Sequence, residues 1–183
     1  MNRKVCLRGY TLIELIIVVA ILSILLAMAT PAFSTWTDKS QRSVIVHDLL
    51  GFFAVARQEA IMRGQQITLC PLDTNNSCVN DWHRPIYLFA DPFNQRRLTD
   101  PNQLVRVFSM EMKGNLTASK AYFRYGPDGL IQGDWGNLTW CPDSGDARQA
   151  AHLVVNRGGR LRVAADTDGD GIPNKANGDP VQC

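Results

Sequence analysis

Metal ligands and catalytic groups are sparse and scattered in this chain. Its three histidines, His47, His83 and His152, are far apart, and its five cysteines contain no Cys-x-x-Cys pair, so the ligand spacing of a zinc site is missing. His47 precedes Asp48 on a helical stretch, where sequence neighbours face different directions. His83 and His152 stand among strand-type residues with no serine or cysteine placed as a nucleophile. There is no glycine-rich nucleotide loop and no carboxylate pair set for acid–base work, so we expect no enzymatic activity and no required cofactor. Internal repeats and low-complexity tracts are absent too. Net charge is small, with 19 basic against 17 acidic residues, so any contact with nucleic acid must rest on a local patch.

What the sequence does have is one long apolar run. Tyr10 to Thr30 is 21 residues with a single charge, Glu14. As a helix it spans about 31 Å, the thickness of a bilayer's hydrocarbon core. The basic head, Arg3, Lys4 and Arg8, stops at Gly9 ahead of this run, whereas a secretory signal is cut after its apolar region. A cut at Gly9 leaves the apolar helix attached to the mature chain. A carboxylate inside lipid is costly, so Glu14 needs a partner.

Gly9 followed by Tyr10-Thr11-Leu12-Ile13-Glu14 resembles the class III signal of type IV prepilins and type II secretion pseudopilins. The resemblance implies that prepilin peptidase cuts between Gly9 and Tyr10 and that Tyr10, where phenylalanine is usual, becomes N-methylated. It also implies that Glu14 neutralises the terminal amine of a neighbouring subunit during assembly, making other pilins the partners of this helix. The expected location is the inner membrane, single-pass with a periplasmic head, and after assembly a pilus on the cell surface. Removal of residues 1–9 takes three basic residues with it and leaves 16 basic against 17 acidic.

After the apolar run, Pro31 is expected to bend the helix without ending it. Val46, Leu49, Phe53, Ala56 and Ala60 then recur at spacings of three and four, an apolar stripe on a continuing helix that stops at Gly64. We expect a helix over residues 10–63. Beyond it lie short runs rich in β-branched and aromatic residues, at 66–70, 86–90, 104–110, 121–125, 138–140, 152–155 and 160–165. Turn residues separate them, including Gly126-Pro127-Asp128-Gly129 and Arg157-Gly158-Gly159. Such strands against one helix face make an α+β fold with two small antiparallel sheets. Trp82, Trp135 and Trp140 are expected in its core. The expected organisation is a leader at 1–9, a membrane or fibre-core half of the helix at 10–30, an amphipathic half at 31–64 and a β-rich head at 65–183.

Cys6 leaves with the leader, and Cys70, Cys78, Cys141 and Cys183 remain on an exported domain, which reads as two disulfides. Of the three connectivities, Cys70 with Cys78 and Cys141 with Cys183 is favoured, since the first closes a short polar turn and the second ties down the last residue. Ala56-Arg57-Gln58-Glu59-Ala60-Ile61 with Gly64, the strand Gln66 to Cys70 and the stretch Trp82 to Asp91 resemble the FimT/FimU/GspH branch of minor pilins and pseudopilins. That resemblance implies the pilin fold.

Two segments carry candidate chemistry. In Asn156-Arg157-Gly158-Gly159-Arg160-Leu161-Arg162, a two-glycine turn is followed by arginines two apart, expected on one strand face. Gly159-Arg160-Leu161-Arg162 resembles the Gly-Arg-x-Arg motif of FimT-type pilins that bind DNA during natural transformation. With Arg157 it makes a candidate contact for double-stranded DNA, through phosphates and without sequence specificity. Arginines at alternating strand positions also make an ordinary solvated face. Asp166, Asp168 and Asp170, at every second position with glycine after the second and third, form a candidate calcium loop; Asn177 and Asn174 stand where calcium loops usually carry acids. Two functions follow as expectations. One is a minor subunit that primes or links a type IV pilus and captures DNA through the arginine hairpin. The other is a minor type II secretion pseudopilin with no DNA-binding role.

Overall fold

The computed structural model of the chain describes residues 11–109, 114–133 and 135–183, the side chains of residues 27–35 excepted. Gly9, Tyr10 and the end of the strand expected to reach Met110 lie outside the described residues. The chain forms two compact units, one ending at Thr37 and one from Asp38 to Cys183.

A helix, α1, is assigned over Leu12–Arg63. In the first unit every large apolar side chain from Leu12 to Leu26 is more than half exposed. A surface of that kind is stable only against lipid or other helices. The run expected to cross a membrane has described side chains only as far as Leu26, and among the described residues no helix is long and apolar enough to cross one.

In the second unit α1 is amphipathic. Ile45, Leu49, Phe52, Phe53, Ala56 and Ala60 are buried, whereas Val46 is half-buried, so the stripe is rotated slightly from the one expected. Gly64, at φ 61°, ends the helix in the left-handed conformation that glycine adopts without penalty. The stripe lies on two antiparallel sheets. The first contains β1 (Ile67–Pro71), β2 (Ile86–Ala90), β3 (Leu104–Phe108) and β5 (Phe123–Tyr125), in the order β3-β2-β1-β5. The second contains β4 (Asn115–Ala118), β6 (Gly136–Cys141), β7 (Ala151–Val155) and β8 (Leu161–Val163), in the order β4-β6-β7-β8.

Phe123 links helix and loops in the core, with its ring edge-on to Phe53 at 5.4 Å and to Trp82 at 5.7 Å. Trp82 and Trp140 are buried as expected. Trp135 is not: it is 52% exposed and stands just ahead of β6 rather than within it. Strand β4 has no counterpart among the expected runs. It is four residues long and buries only Leu116, which pairs with Trp140, so its partner rather than its composition makes it a strand. Cys70 is bonded to Cys78 and Cys141 to Cys183, with Cα separations of 5.5 and 5.6 Å.

Candidate functional site

The hairpin between β7 and β8 is held more tightly than its two glycines suggest. Gly159 N–H donates to the Asn156 carbonyl at 3.0 Å, and Asn156 N–H donates to the Arg160 carbonyl at 3.1 Å. Only the second glycine is left-handed, with φ 74°. A Cβ on Gly159 would sit 2.4 Å from the Gly129 carbonyl oxygen and 2.9 Å from Cε1 of Tyr125, so the position requires glycine for space as well as for conformation. The buried Tyr125 hydroxyl donates to the Gly159 carbonyl at 2.9 Å, and Ile131 N–H donates to the Arg157 carbonyl at 3.2 Å. Burial pushes the Tyr125 phenol pKa up, so it stays a donor. The hairpin is thus pinned to the Gly126–Gly129 turn, about thirty residues earlier.

Arg157, Arg160 and Arg162 are all exposed, and none has an ion pair among the described residues. Arg160 stands immediately ahead of β8, its carbonyl bonded across the hairpin to Asn156 N–H, and Arg162 lies within the strand. The Arg157 guanidinium stacks on the Trp135 ring, 4.3 Å from its centroid. Arg160 lines a groove of about 210 Å³ with Leu50, Phe53, Ala54, Arg57, Gly159 and Leu161. Arg162 lies opposite Val154 in the β7–β8 ladder. Arg57 is the residue that sequence reasoning missed. Its only signal was its place on α1 one heptad beyond Leu50, which carries no meaning until β8 is known to lie alongside.

In the acidic loop, Asp166, Asp168 and Asp170 are exposed and offer carboxylate oxygens within 4.8 Å of one another. Asp166 uses both oxygens internally, accepting from Gly169 N–H at 2.7 Å and Gly171 N–H at 2.8 Å. Those two bonds hold its carboxyl below the usual carboxylate range. Asp170 likewise accepts from Ile172 N–H at 2.7 Å. Asn174 is buried and fully engaged. Its Oδ1 accepts from the Thr167 N–H and hydroxyl, and its Nδ2 donates to Asp168 and to the Gly178 carbonyl. Asp179 does not join the cluster; its carboxylate accepts from the Asn177 amide. The loop therefore keeps its shape with its own donors.

In the first unit, Glu14 is the third residue of α1 and Thr11 its cap. The Glu14 carboxylate accepts from the Thr11 N–H and hydroxyl, both at 2.8 Å, and the Thr11 hydroxyl accepts from Glu14 N–H at 3.3 Å. This is a reciprocal capping box, so within one subunit Glu14 already has a local partner.

A helix with an exposed apolar first part, continuing onto two small antiparallel sheets, is the architecture of type IV pilin and pseudopilin subunits. Residues 46–159, more than half of the chain, match the type II transport protein GspH family, and the chain belongs to that family. Residues 7–30 match the prokaryotic N-terminal methylation motif. The fold is similar to the type IV minor pilin FimU of Pseudomonas aeruginosa, with TM-score 0.55 and 16% identity over 71% of this chain and 92% of that one. It is also similar to the minor pseudopilin EpsH of the Vibrio cholerae type 2 secretion system, with TM-score 0.50 and 10% identity over 70% of this chain and 99% of that one. A fimbrial protein of Pseudomonas aeruginosa is 39% identical over 69 residues, 37% of this chain and 44% of that protein. Fimbrial protein Q of Moraxella bovis is 50% identical over 42 residues, 23% of this chain and 27% of that protein. The chain thus spans less than half the length of the curated relatives it matches. These are families of structural subunits rather than enzymes.

Proposed function

We propose that the chain is a minor subunit of a type IV pilus that primes or links the fibre and captures extracellular double-stranded DNA through its arginine hairpin. Cleavage between Gly9 and Tyr10 and methylation of Tyr10 prepare it. The 10–30 segment is held in the inner membrane and later enters the fibre core beside other pilins. Glu14 exchanges its Thr11 cap for a neighbour's terminal amine. The observation that carries the DNA reading is the hairpin. Arg157, Arg160 and Arg162 are exposed and without ion pairs among the described residues, on a turn braced by Gly159 and Tyr125. Guanidinium ions displayed on a turn suit phosphate oxygens, contacts that hold DNA without reading its sequence. A gel shift of residues 36–183 against the Arg160→Ala/Arg162→Ala variant tests it: the parent retards duplex DNA and the variant does not. Equal behaviour of the two proteins removes the hairpin from function.

The second reading is a minor type II secretion pseudopilin with no DNA role, supported by the GspH family match. Failure of both proteins to retard DNA favours it. For the acidic loop, the convergence of three carboxylates within 4.8 Å supports weak calcium binding by Asp166, Asp168 and Asp170. Calorimetric titration that detects no binding at millimolar calcium removes that assignment.

A further inference from the structure

The hairpin arginines are one end of a longer basic feature. On α1, Lys39, Arg42, Val46, Leu50 and Arg57 follow one another at steps of three, four, four and seven, which keeps them on one face of the helix. Strand β8 lies along that face. Val163 lines a groove of about 320 Å³ with Lys39, Arg42 and Val46, and Leu161 lines the second groove with Leu50, Arg57 and Arg160. The two grooves follow one another along α1 and together are the α1–β8 seam: Val46, Leu50, Leu161 and Val163 lie between Lys39 and Arg42 at one end and Arg57 and Arg160 at the other, with Ser43 and His47 also lining the first. From Lys39 to Arg57 it runs for about 27 Å, at about 1.5 Å per residue.

The acidic residues of this part of α1 are all turned to other uses. The Asp38 carboxylate accepts from the Ser144 hydroxyl, Glu59 pairs with Arg63 at 2.6 Å, and Asp48 lines a different groove beside β3. Neither groove of the seam is lined by a carboxylate. Lys39, Arg42 and Arg57 have no ion pair among the described residues. A chain that is nearly neutral overall thus places four basic residues, and no acid, along these two grooves.

We infer that the α1–β8 seam is a phosphate-binding track on which a DNA duplex lies lengthwise, with Lys39, Arg42 and Arg57 extending the contact made by Arg160. This deepens the DNA-capture reading and rests on it. About 27 Å of seam corresponds to about eight phosphates along one strand, at about 3.4 Å per residue of strand. The ligand is the backbone: the four cations stand beside a largely apolar lining in which Ser43 and His47 are the other polar side chains, a set suited to spaced phosphates.

The test is the salt dependence of duplex binding by the full chain in non-ionic detergent, followed by fluorescence anisotropy with a labelled duplex several times longer than the seam. The hairpin alone, with three phosphate contacts, gives a slope of log K on log salt of about −2.7; hairpin and seam together give about −5.4. Lys39→Ala/Arg42→Ala flattens the parent slope by about 1.8 and Arg57→Ala by about 0.9. Arg63→Ala, off the seam and paired with Glu59, leaves it unchanged. A parent that binds DNA, loses it with Arg160→Ala/Arg162→Ala and keeps its slope in the seam variants overturns the track while the hairpin reading stands. Equal flattening by Arg63→Ala also overturns the track, since net charge alone would then explain the effect. A parent that binds no duplex at low salt overturns both readings.

Discussion

Gly159→Ala is the substitution whose cost the geometry sets most directly. An alanine at φ 74° holds an L side chain in the left-handed region, at about 1–2 kcal/mol. Its Cβ also falls 2.4 Å from the Gly129 carbonyl oxygen and 2.9 Å from the Tyr125 ring. Neither neighbour can yield cheaply: the first is backbone, and the second is a fully buried ring. The hairpin must lift, and the Tyr125 hydroxyl then loses the Gly159 carbonyl, a further loss of about 1–3 kcal/mol for a buried unpaired group. The total is about 3 kcal/mol, or about 10 °C of melting temperature for a unit of this size. Thermal unfolding of the Asp38–Cys183 unit, followed by circular dichroism, measures it. Gly158→Ala is the control. Gly158 is not left-handed and the nearest atom to a new Cβ beyond its chain neighbours is a side-chain oxygen of the same turn, Asn156 Oδ1 at 3.3 Å, so its effect stays within about 0.5 kcal/mol. Tyr125→Phe costs about 1–3 kcal/mol alone and adds less than that to Gly159→Ala, because both remove the same hydrogen bond. A Gly159→Ala protein that melts with the parent, or full additivity with Tyr125→Phe, refutes the argument.

His152 is buried with Nδ1 2.8 Å from the Thr139 hydroxyl oxygen, and burial, followed by the Lys175 charge, lowers its pKa below 6.5. The folded state thus binds its proton less readily than the unfolded state. This contribution to stability is complete above the unfolded pKa and falls as pH drops below about 6.5 towards the folded pKa. Urea unfolding at about pH 7.5 and about pH 5 detects the loss, and His152→Gln reduces the pH dependence in that window. The Cys141–Cys183 bond closes 42 residues of sequence separation and the Cys70–Cys78 bond closes eight. Chain entropy assigns them about 4 and about 2.5 kcal/mol, so Cys183→Ser lowers the melting temperature more than Cys78→Ser; the reverse order shows that the tail detaches without unfolding the sheets. Glu14→Val leaves the cut after Gly9 intact and blocks entry into fibres, whereas Thr11→Ala, which removes only the local cap at about 1 kcal/mol, leaves incorporation unaffected. Fibre fractions probed by immunoblot distinguish the two, and normal incorporation of Glu14→Val refutes the assembly role.

Local pattern alone determined a good deal of this protein. The apolar run with its single Glu14, the stripe from Leu49 to Ala60, the stop at Gly64 and the Cys70–Cys78 pair are legible because each depends on residues close in sequence or on a spacing that a helix imposes; Cys141–Cys183, 42 residues apart, followed as the remaining pair once the first was chosen. Most strands were legible for the same reason, since alternation and turn residues are local. Tertiary structure decided the rest. Strand β4 exists because Trp140 offers Leu116 a partner, and Trp135, just ahead of β6, is left exposed. The reason for glycine at 159 lies in Tyr125 and Gly129, which no window around the hairpin contains. Arg57 and Arg160 stand about a hundred residues apart in sequence and line one groove only because β8 packs beside α1. Periodicity specifies which face of an element is buried; which two elements share a border depends on how the whole core closes, and the candidate site is made at such a border.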